Sequence, residues 1–276
     1  MNFAVIGGDE RMVHLARLLR RDGHTVRCFA LEKAAACEES PAAAVTEAQA
    51  VILPVPCCRG DALNAPLSAG TYDMKTILGA IPSGTVVLAG MTAPIERRCA
   101  VLGLSVYDYF AREELAVRNA ALTAEGAVEL LLKERQRSLS GAKVLISGFG
   151  RIGRLLSPRL AAMGASVTVL ARSSADLAWA RCMGFTPLDM KKEWSAAGFD
   201  IIVNTVPATV FTAARLAETG DAMLLELASA PYGFDMTAAK SLGKAVLAAS
   251  GLPGKCAAVS AAEAIKDSVY QLLEEL

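Results

Sequence analysis

Residues 143–173 read KVLISGFGRIGRLLSPRLAAMGASVTVLARS and decide the fold of the region around them. The apolar run Val144 to Ser147 is typical of a short buried strand. It leads into the G-x-G-x-x-G turn of Gly148 to Gly153, and an amphipathic segment, Arg154 to Met163, follows. A second β-rich run at Ser166 to Leu170 completes the stretch. Strand, glycine turn, helix and strand in this order predict a dinucleotide-binding βαβ unit.

Each glycine of the turn has a physical task. Gly148 lets the chain turn off the strand, Gly150 leaves room for a pyrophosphate, and Gly153 lets the helix pack close to the strand. Arg151 and Ile152 lie in the turn just before the helix, whose free N–H groups and positive dipole end attract phosphate. These five residues are therefore candidates for cofactor binding. A glycine-rich turn that binds nothing is the alternative, and the surrounding pattern argues against it.

The second strand ends without the Asp or Glu that usually accepts a hydrogen bond from the ribose 2′-hydroxyl of NAD. It ends instead in Ala171-Arg172-Ser173-Ser174. Arg172 can pair with a 2′-phosphate and Ser173 can donate to it, so this pocket favours NADP(H) over NAD(H). Arg172 as a solvated surface residue is the alternative. Further along the chain, Thr205-Val206-Pro207 follows another strand, and we expect it to shield the nicotinamide ring or its ribose.

The composition of the 276 residues suits parallel strands covered by helices on both faces, because 53% are hydrophobic and only 5% aromatic. Lysine plus arginine equals aspartate plus glutamate at 28 each, so no global field favours nucleic acid or an anionic membrane. No signal peptide and no spanning segment are expected. Seven cysteines without a C-x-x-C pair or zinc spacing predict no metal site and a cytoplasmic protein in a reducing environment.

The order of predicted strands and helices indicates an α/β fold of two Rossmann-like domains with parallel sheets. The expected parts are an N-terminal substrate or catalytic α/β domain at 1–118, a long linking helix at 119–140, the NADP-binding domain at 141–256, and a C-terminal helix at 257–276. This last helix is expected to return to the N-terminal domain. A shorter helix is predicted near Lys191 to Ala197, and a loop at Gly251 to Lys255.

Two loops of the N-terminal domain mark a candidate ligand site, because open α/β sheets bind ligands at the carboxyl ends of their strands. The first strand runs into a Gly-Gly-Asp loop before Arg11, which can fork onto a substrate carboxylate. An Asp9 N-cap with Arg11 in solvent is an equally good interpretation. The third strand ends at Pro54, a second candidate for substrate binding. The adjacent Cys57 and Cys58 in the same loop are interpreted as packing residues rather than a redox pair.

Several loops together resemble one family, the A subunit of dipicolinate synthase. The resemblance extends over essentially the whole chain, and this combination of motifs is more specific than the glycine turn alone. The motifs that carry it are Gly7-Gly8-Asp9 with Arg11, Leu53-Pro54-Val55, Glu125-Gly126, the glycine turn, Ala171-Arg172-Ser173-Ser174, Asn204-Thr205-Val206-Pro207, Leu227-Ala228-Ser229 and Gly251-Leu252-Pro253-Gly254. Two segments depart from the family pattern, Asn119 to Thr123 and Lys255 to Ser260.

The resemblance implies NADP-dependent oxidation of dihydrodipicolinate to pyridine-2,6-dicarboxylate, the calcium-binding acid of bacterial endospores. It also implies a partner, the B subunit of dipicolinate synthase, and expression in the mother cell of a sporulating bacterium. The substrate would then be a small dicarboxylate.

A dicarboxylate needs cationic or N–H donors at two points. Arg11 is the candidate for one carboxylate, and the backbone from Gly251 to Gly254 with Lys255 is the candidate for the other. Asp9 is the candidate base and Ser229 an orienting donor. Each also has an ordinary interpretation: Asp9 as a helix cap, Ser229 as a turn residue and Lys255 in solvent.

Two other functions compete with this one. The first is another two-domain hydroxy-acid or amino-acid dehydrogenase. A hydroxy-acid dehydrogenase needs a histidine base in its cleft, whereas His14 and His24 fall outside the cofactor-side loops and are expected on the surface. The second is a non-catalytic NADP-binding scaffold that acts only by holding a partner. A homo-oligomer is compatible with every one of these functions.

Overall fold

The computed structural model describes residues 1–276. The chain divides into two compact units, one made of residues 1–119 with 253–276 and the other of residues 120–252. Both are α/β units with a parallel sheet, so the predicted fold class is confirmed.

The first unit is built around a five-stranded parallel sheet of order β2-β1-β3-β6-β7. Its elements are β1 (Asn2–Ile6), α1 (Glu10–Arg21), β2 (Thr25–Phe29), α2 (Pro41–Val45), β3 (Ala50–Ile52), the antiparallel hairpin β4 (Cys58–Arg59) and β5 (Ala62–Leu63), α3 (Met74–Gly79), β6 (Val86–Ala89), α4 (Glu96–Val101) and β7 (Ser105–Asp108). Without the hairpin, this is the flavodoxin-like strand order. Its order reverses between β1 and β3, and such a switch point is where a ligand cleft opens.

The sheet is covered on both faces, as its strand composition predicts. Along β1, Phe3 and Val5 lie in one buried cluster, whereas Ala4 and Ile6 lie in the other. A strand with alternating residues in two cores gives a nearly continuous apolar run, which is why β1 shows no polar face in the sequence.

One long helix, α5 (Glu113–Arg135), crosses the boundary between the two units. It differs from the linking helix predicted at 119–140, since it begins earlier and ends earlier. Glu113 and Glu114 supply acidic residues to its first turn, where they complement the helix dipole. No helix of the structure combines the length and apolar character needed to cross a membrane.

The second unit contains a six-stranded parallel sheet of order β10-β9-β8-β11-β12-β13. Its elements are β8 (Lys143–Ser147), α6 (Arg151–Ala162), β9 (Ser166–Ala171), α7 (Ser174–Cys182), β10 (Thr186–Asp189), β11 (Ile201–Asn204), α8 (Ala213–Glu218), β12 (Met223–Glu226), α9 (Met236–Ser241) and β13 (Val246–Ala248). Numbered from β8, this is the strand order of dinucleotide-binding domains, with its switch point between β8 and β11.

The chain closes with α10 (Leu252–Cys256) and α11 (Ala258–Glu274). Helix α11 packs on α1 in the first unit, so the predicted return of the C-terminal helix is confirmed. Ile265 and Val269 share a buried cluster with Leu15 and Leu19 of α1. The Ser268 hydroxyl also donates to the backbone carbonyl of Tyr109 at 2.9 Å.

Two local predictions are wrong. Residues 191–197 contain no helix, because Trp194 packs on Phe211 and the Glu218 carboxylate accepts from the Ala196 N–H at 2.8 Å. These side-chain contacts hold the segment in an irregular conformation. The predicted loop at Gly251 to Lys255 contains the short helix α10 instead.

Candidate functional site

Several of the predicted site residues fall at the carboxyl ends of the strands that flank the switch point of each sheet. In the second unit, the glycine turn follows β8 and Thr205 follows β11. In the first unit, Asp9 and Arg11 follow β1, and Pro54 follows β3. Each unit therefore places its candidate residues where an open α/β sheet forms a ligand site.

The glycine turn has the geometry that its three glycines require. Gly148 has a φ of +91°, and a Cβ there would lie 2.5 Å from Oγ1 of Thr205. A Cβ on Gly153 would lie 2.3 Å from the carbonyl oxygen of Gly148. A Cβ on Gly150 meets nothing within 4 Å, so this residue borders open space. Helix α6 starts at Arg151 without a side-chain cap, which suits a phosphate at its N-terminus.

These distances predict opposite effects for two alanine substitutions. Gly153→Ala should lower the free energy of unfolding by about 1–3 kcal/mol, because its Cβ collides with backbone. Gly150→Ala should change that free energy by less than about 0.5 kcal/mol. It should nevertheless weaken the binding of a nicotinamide dinucleotide, because the added methyl group would stand where a pyrophosphate is expected to approach. Urea denaturation and NADPH fluorescence titration measure the two effects. A stable Gly153→Ala variant, or a Gly150→Ala variant with unchanged affinity, would contradict this geometry.

A cleft of about 480 Å³ opens beside the glycine turn. It is lined by Gly148, Phe149, Gly150, Ala171, Arg172, Ser173, Asp176, Met190 and the segment Thr205 to Val210. Seven of the predicted cofactor-binding residues line it: Gly148, Gly150, Arg172, Ser173, Thr205, Val206 and Pro207. Arg151, Ile152 and Gly153 lie in the first turn of α6. The cleft and the uncapped helix together fit an elongated anionic cofactor.

At the end of β9, the rim of this cleft carries an arginine without a partner, Arg172, and a carboxylate paired with an arginine, Asp176. Arg172 is exposed and makes no hydrogen bond or ion pair within the chain. Ser173 caps α7 and accepts from the Asp176 N–H at 3.5 Å. The Asp176 carboxylate is paired with Arg154 at 2.9 Å, and Arg154 also donates to the Phe149 carbonyl at 2.9 Å. Sequence reasoning missed this pair, which leaves Arg172 as the unpaired charge at the rim.

A buried carboxylate, also missed from the sequence, organises the two loops after β11 and β12. Glu226 is 1% exposed. Its Oε1 accepts from Asn204 Nδ2 at 2.6 Å and from the Ala228 N–H at 2.9 Å. Its Oε2 accepts from the N–H groups of Gly233 at 2.8 Å and Phe234 at 3.1 Å. An acid at the end of the apolar run Met-Leu-Leu is the signal that could have revealed it, because a charge in a buried strand needs several donors.

This network predicts a large cost for removing one acceptor. Glu226→Gln places an amide N–H₂ where two N–H donors now converge, so it should lower the free energy of unfolding by about 1–3 kcal/mol. Glu193→Gln is the matched control, since Glu193 is exposed, and it should change stability by less than about 0.5 kcal/mol. Urea denaturation of both variants compares them directly. Equal stabilities would show that the Glu226 carboxylate does not organise these loops.

The loop after β12 holds Ser229, the predicted orienting donor. Ser229 is exposed, directly after the buried Ala228. Its hydroxyl makes no hydrogen bond within the chain and is open to solvent. By contrast, the Thr205 hydroxyl donates to the Ser147 carbonyl at 2.8 Å, which anchors the start of the loop that carries Val206 and Pro207.

In the first unit, Asp9 and Arg11 bind each other. Asp9 Oδ1 accepts from Arg11 Nε at 2.9 Å, and Asp9 Oδ2 accepts from Arg11 Nη2 at 2.9 Å. Nη2 also donates to the Val55 carbonyl at 2.9 Å. Asp9 caps α1 through the Arg11 N–H, as one interpretation had it, but the Arg11 side chain is only 11% exposed and is not in solvent. Nη1 forms no hydrogen bond within the chain and is the free end of the guanidinium.

The other predicted substrate residues differ in their burial and in their contact with the Asp9–Arg11 pair. A Cβ on Gly254 would lie 2.8 Å from Asp9 Oδ2, so the backbone of α10 passes directly beside the pair. The sequence predicted only that the backbone from Gly251 to Gly254 takes part in the site. The structure identifies Gly254 as the residue of that segment that lies against Asp9. Gly251 and Lys255 are exposed, and Pro54 is buried, with its Cβ 3.0 Å from the Cβ position of Gly8.

A buried tyrosine supports the loop after β3. The Tyr109 hydroxyl donates to the Leu53 carbonyl at 2.8 Å, and burial raises the pKa of Tyr109 above its usual range. Tyr109 stays protonated and can keep donating to Leu53. The two histidines are half-buried rather than on the surface as expected: His24 lies between the rings of Phe3 and Tyr270, and His14 lies on α1.

Residues 2–110 match the family described as the N-terminal domain of the dipicolinate synthase A subunit. Residues 110–220 match the NAD-binding domain of the D-isomer specific 2-hydroxyacid dehydrogenases. The A subunit of dipicolinate synthase from Bacillus subtilis strain 168 is 29% identical over an alignment of 291 positions. The alignment covers 100% of this chain and 97% of that protein. The second unit therefore contains a nicotinamide-dinucleotide-binding domain of the dehydrogenase type.

Solved structures show the same similarity to the A subunit of dipicolinate synthase. The A subunit of dipicolinate synthase from Bacillus halodurans is 27% identical with a TM-score of 0.86, over 99% of this chain and 97% of that one. Its counterpart from Bacillus subtilis is 28% identical with a TM-score of 0.83, over 100% and 96%. A transhydrogenase from Sinorhizobium meliloti, 16% identical over 99% and 93% with a TM-score of 0.69, shares the fold. Residues 2–110 thus resemble the N-terminal domain of the dipicolinate synthase A subunit, and the resemblance of the whole chain to that protein is confirmed.

Proposed function

We propose that the chain oxidises dihydrodipicolinate to dipicolinate with NADP as the hydride acceptor. The reaction converts dihydrodipicolinate and NADP⁺ to dipicolinate, NADPH and a proton. Formation of an aromatic ring gives it a large driving force, so positioning of the substrate matters more than a strong base. The observation that carries the proposal is Arg11, a buried guanidinium at the switch point of the first sheet whose Nη1 end is free.

Arg11 is the proposed anchor for one substrate carboxylate. Asp9 and the Val55 carbonyl hold Nε and Nη2, so the guanidinium is fixed before substrate binds. A carboxylate at Nη1 would complete the hydrogen bonds of the group. The backbone near Gly251 and Gly254, with Lys255, is proposed to bind the second carboxylate.

Asp9 is the proposed base for the ring proton. Its side chain is 31% exposed and fixed by Arg11, so it is both accessible and oriented. Ser229, whose hydroxyl is free, is the proposed orienting donor. These roles need a positioned carboxylate and a free hydroxyl, and both groups are present.

The cleft of the second unit fits a dinucleotide phosphate, because Gly150 borders open space and α6 starts without a side-chain cap. Gly148, Gly150, Arg151, Ile152 and Gly153 would hold the pyrophosphate, and Thr205, Val206 and Pro207 the nicotinamide end. When bound, NADP supplies the hydride acceptor. Arg172 with Ser173 is proposed to select NADP over NAD, because Asp176, the one carboxylate lining the cleft, is paired with Arg154.

The relatives are named as one of the parts of a synthase, its A subunit. We therefore further propose a partner of the B-subunit type and a place in the cytoplasm of the mother cell during sporulation. A homo-oligomer remains compatible with this assembly.

A substrate panel tests the proposed function. Dihydrodipicolinate made in situ from aspartate semialdehyde and pyruvate should support NADP reduction, with and without a candidate B subunit, whereas D-lactate and L-alanine should not. Turnover of a simple hydroxy or amino acid would favour the other dehydrogenase class. Binding of NADP without any turnover, even when the B subunit is present, would favour a scaffold.

A further inference from the structure

The adjacent cysteines Cys57 and Cys58, interpreted from the sequence as packing residues, form a close pair of thiols after β3. Both are free, and their sulfur atoms lie 3.9 Å apart. Cys57 is fully buried, with its Sγ 3.4 Å from the Met91 carbonyl, whereas Cys58 is half-buried at the start of β4. One sulfur is thus reachable from solvent and the other lies directly behind it.

The distance between the two sulfur atoms decides whether they can bond directly or only through a bridging atom. A disulfide needs sulfurs about 2.05 Å apart, so the pair would have to close by nearly half. Cys57 resists such a shift, because its N–H donates to the Gly90 carbonyl at 2.9 Å and its carbonyl accepts from the Asn64 N–H at 3.1 Å. One pyramidal atom with bonds of about 2.3 Å to both sulfurs, at an angle of about 95–100°, spans about 3.4–3.5 Å. The observed pair needs to close by only about 0.4–0.5 Å to reach that distance, so it suits a one-atom bridge better than a disulfide.

The surroundings of the pair decide which element can form this bridge. A structural zinc ion needs four protein ligands, and no group of three or more His, Cys, Asp or Glu side chains is assembled here. Trivalent arsenic bearing one organic group is pyramidal and needs only two thiols. We propose that Cys57 and Cys58 form a chelating site for trivalent organoarsenicals.

The covalent step is balanced without a change of oxidation state. An arsenoxide, R–As=O, and two thiols give R–As(S–Cys57)(S–Cys58) and one water, with two As–S bonds formed and the As=O bond lost. Both thiol protons leave with the oxygen. Cys58 reacts first because it is the more accessible of the two. Burial raises the pKa of Cys57 to about 12, so Cys57 keeps its proton until arsenic is already bound next to it.

This site lies beside the Arg11 pair but does not depend on the proposed reaction. The Val55 carbonyl that accepts from Arg11 lies two residues before Cys57 in the same loop. Asn64 links the loop to the hairpin by donating from Nδ2 to the Pro56 carbonyl at 2.9 Å. The test can therefore use binding alone, which would succeed or fail whatever the chain catalyses.

The experiment uses the full reduced chain and one equivalent of phenylarsine oxide, followed by excess 2-mercaptoethanol and intact mass spectrometry. The wild type should retain one phenylarsenic adduct, which 2,3-dimercaptopropanol should release. Cys58→Ala and Cys57→Ala should each retain about 100-fold less, because the second As–S bond is intramolecular. Circular dichroism confirms folding, and the half-buried Cys58 position gives a variant with little effect on the core.

Cys28→Ala and Cys37→Ala are the matched controls, since both change a free cysteine of the same unit outside the pair. Each should retain the adduct as the wild type does. A wild type that loses the adduct to 2-mercaptoethanol would overturn the proposal. So would an adduct that survives in both Cys57→Ala and Cys58→Ala.

Discussion

Replacing Arg11 with lysine is expected to lower kcat/KM for dihydrodipicolinate by roughly 30- to 5,000-fold, since disrupting a buried, hydrogen-bonded charge costs about 2–5 kcal/mol. Lysine keeps the charge but lacks the planar fork that binds Asp9 through Nε and Nη2 while Nη1 stays free. NADPH affinity should stay unchanged, because the dinucleotide cleft is lined by residues of the second unit. Steady-state kinetics and NADPH titration of Arg11→Lys measure both quantities.

Arg17→Lys is the control for this substitution, because Arg17 is exposed on the same helix. It should leave kcat/KM and stability unchanged. Urea denaturation of Arg11→Lys separates lost substrate binding from unfolding, since Asp9 loses its partner in that variant. A folded Arg11→Lys enzyme with wild-type kcat/KM would remove Arg11 from the substrate site.

Replacing Arg172 with alanine is expected to weaken NADPH binding by about 1.5–3 kcal/mol, roughly 10- to 150-fold in Kd, with little change in NADH affinity. The reason is that Arg172 is the unpaired cation at the rim of the cleft, and the proposed function assigns it to the 2′-phosphate, which NADH lacks. Fluorescence titration with both reduced cofactors gives the ratio of affinities. That ratio, rather than either affinity alone, reports on the phosphate.

Arg181→Ala provides the comparison for a general loss of positive charge, because Arg181 is an exposed residue of the neighbouring helix α7. It should preserve the preference for NADPH. If Arg172→Ala also preserves it, or if the wild type binds NADH as tightly as NADPH, then Arg172 does not select the cofactor.

The parts of the fold that were predictable depend on short stretches of sequence. Strand, glycine turn, helix and strand between Lys143 and Ala171 are set by local periodicity and by glycines at fixed spacing, and the fold class followed from them. The buried parallel strands were also predictable, because strands that are buried on both faces read as continuous apolar runs. Helix bounds were less predictable, and α5 begins at Glu113 in a stretch whose apolar pattern is weak.

The features that escaped prediction all depend on contacts between distant residues. Gly254 meets Asp9 only because α10 lies against the loop after β1, across most of the chain. Glu226 collects donors from the end of β11 and from the loop after β12, and no spacing rule connects Glu226 with Asn204. The irregular segment at 191–197 is likewise held by Glu218, more than twenty positions away, which overrides local helix propensity. The roles of Asp9 and Ser229 in catalysis remain predictions.

An anaerobic stoichiometry measurement tests the proposed reaction most directly. Dihydrodipicolinate is generated from aspartate semialdehyde and pyruvate without oxygen, and this chain and NADP are added, with a candidate B subunit in a parallel reaction. NADPH is followed by absorbance and dipicolinate by terbium luminescence. We predict that both products accumulate together in equal amounts and faster than without the chain. Dipicolinate formed without NADPH, or neither product formed in either reaction, would contradict NADP-dependent oxidation by this chain.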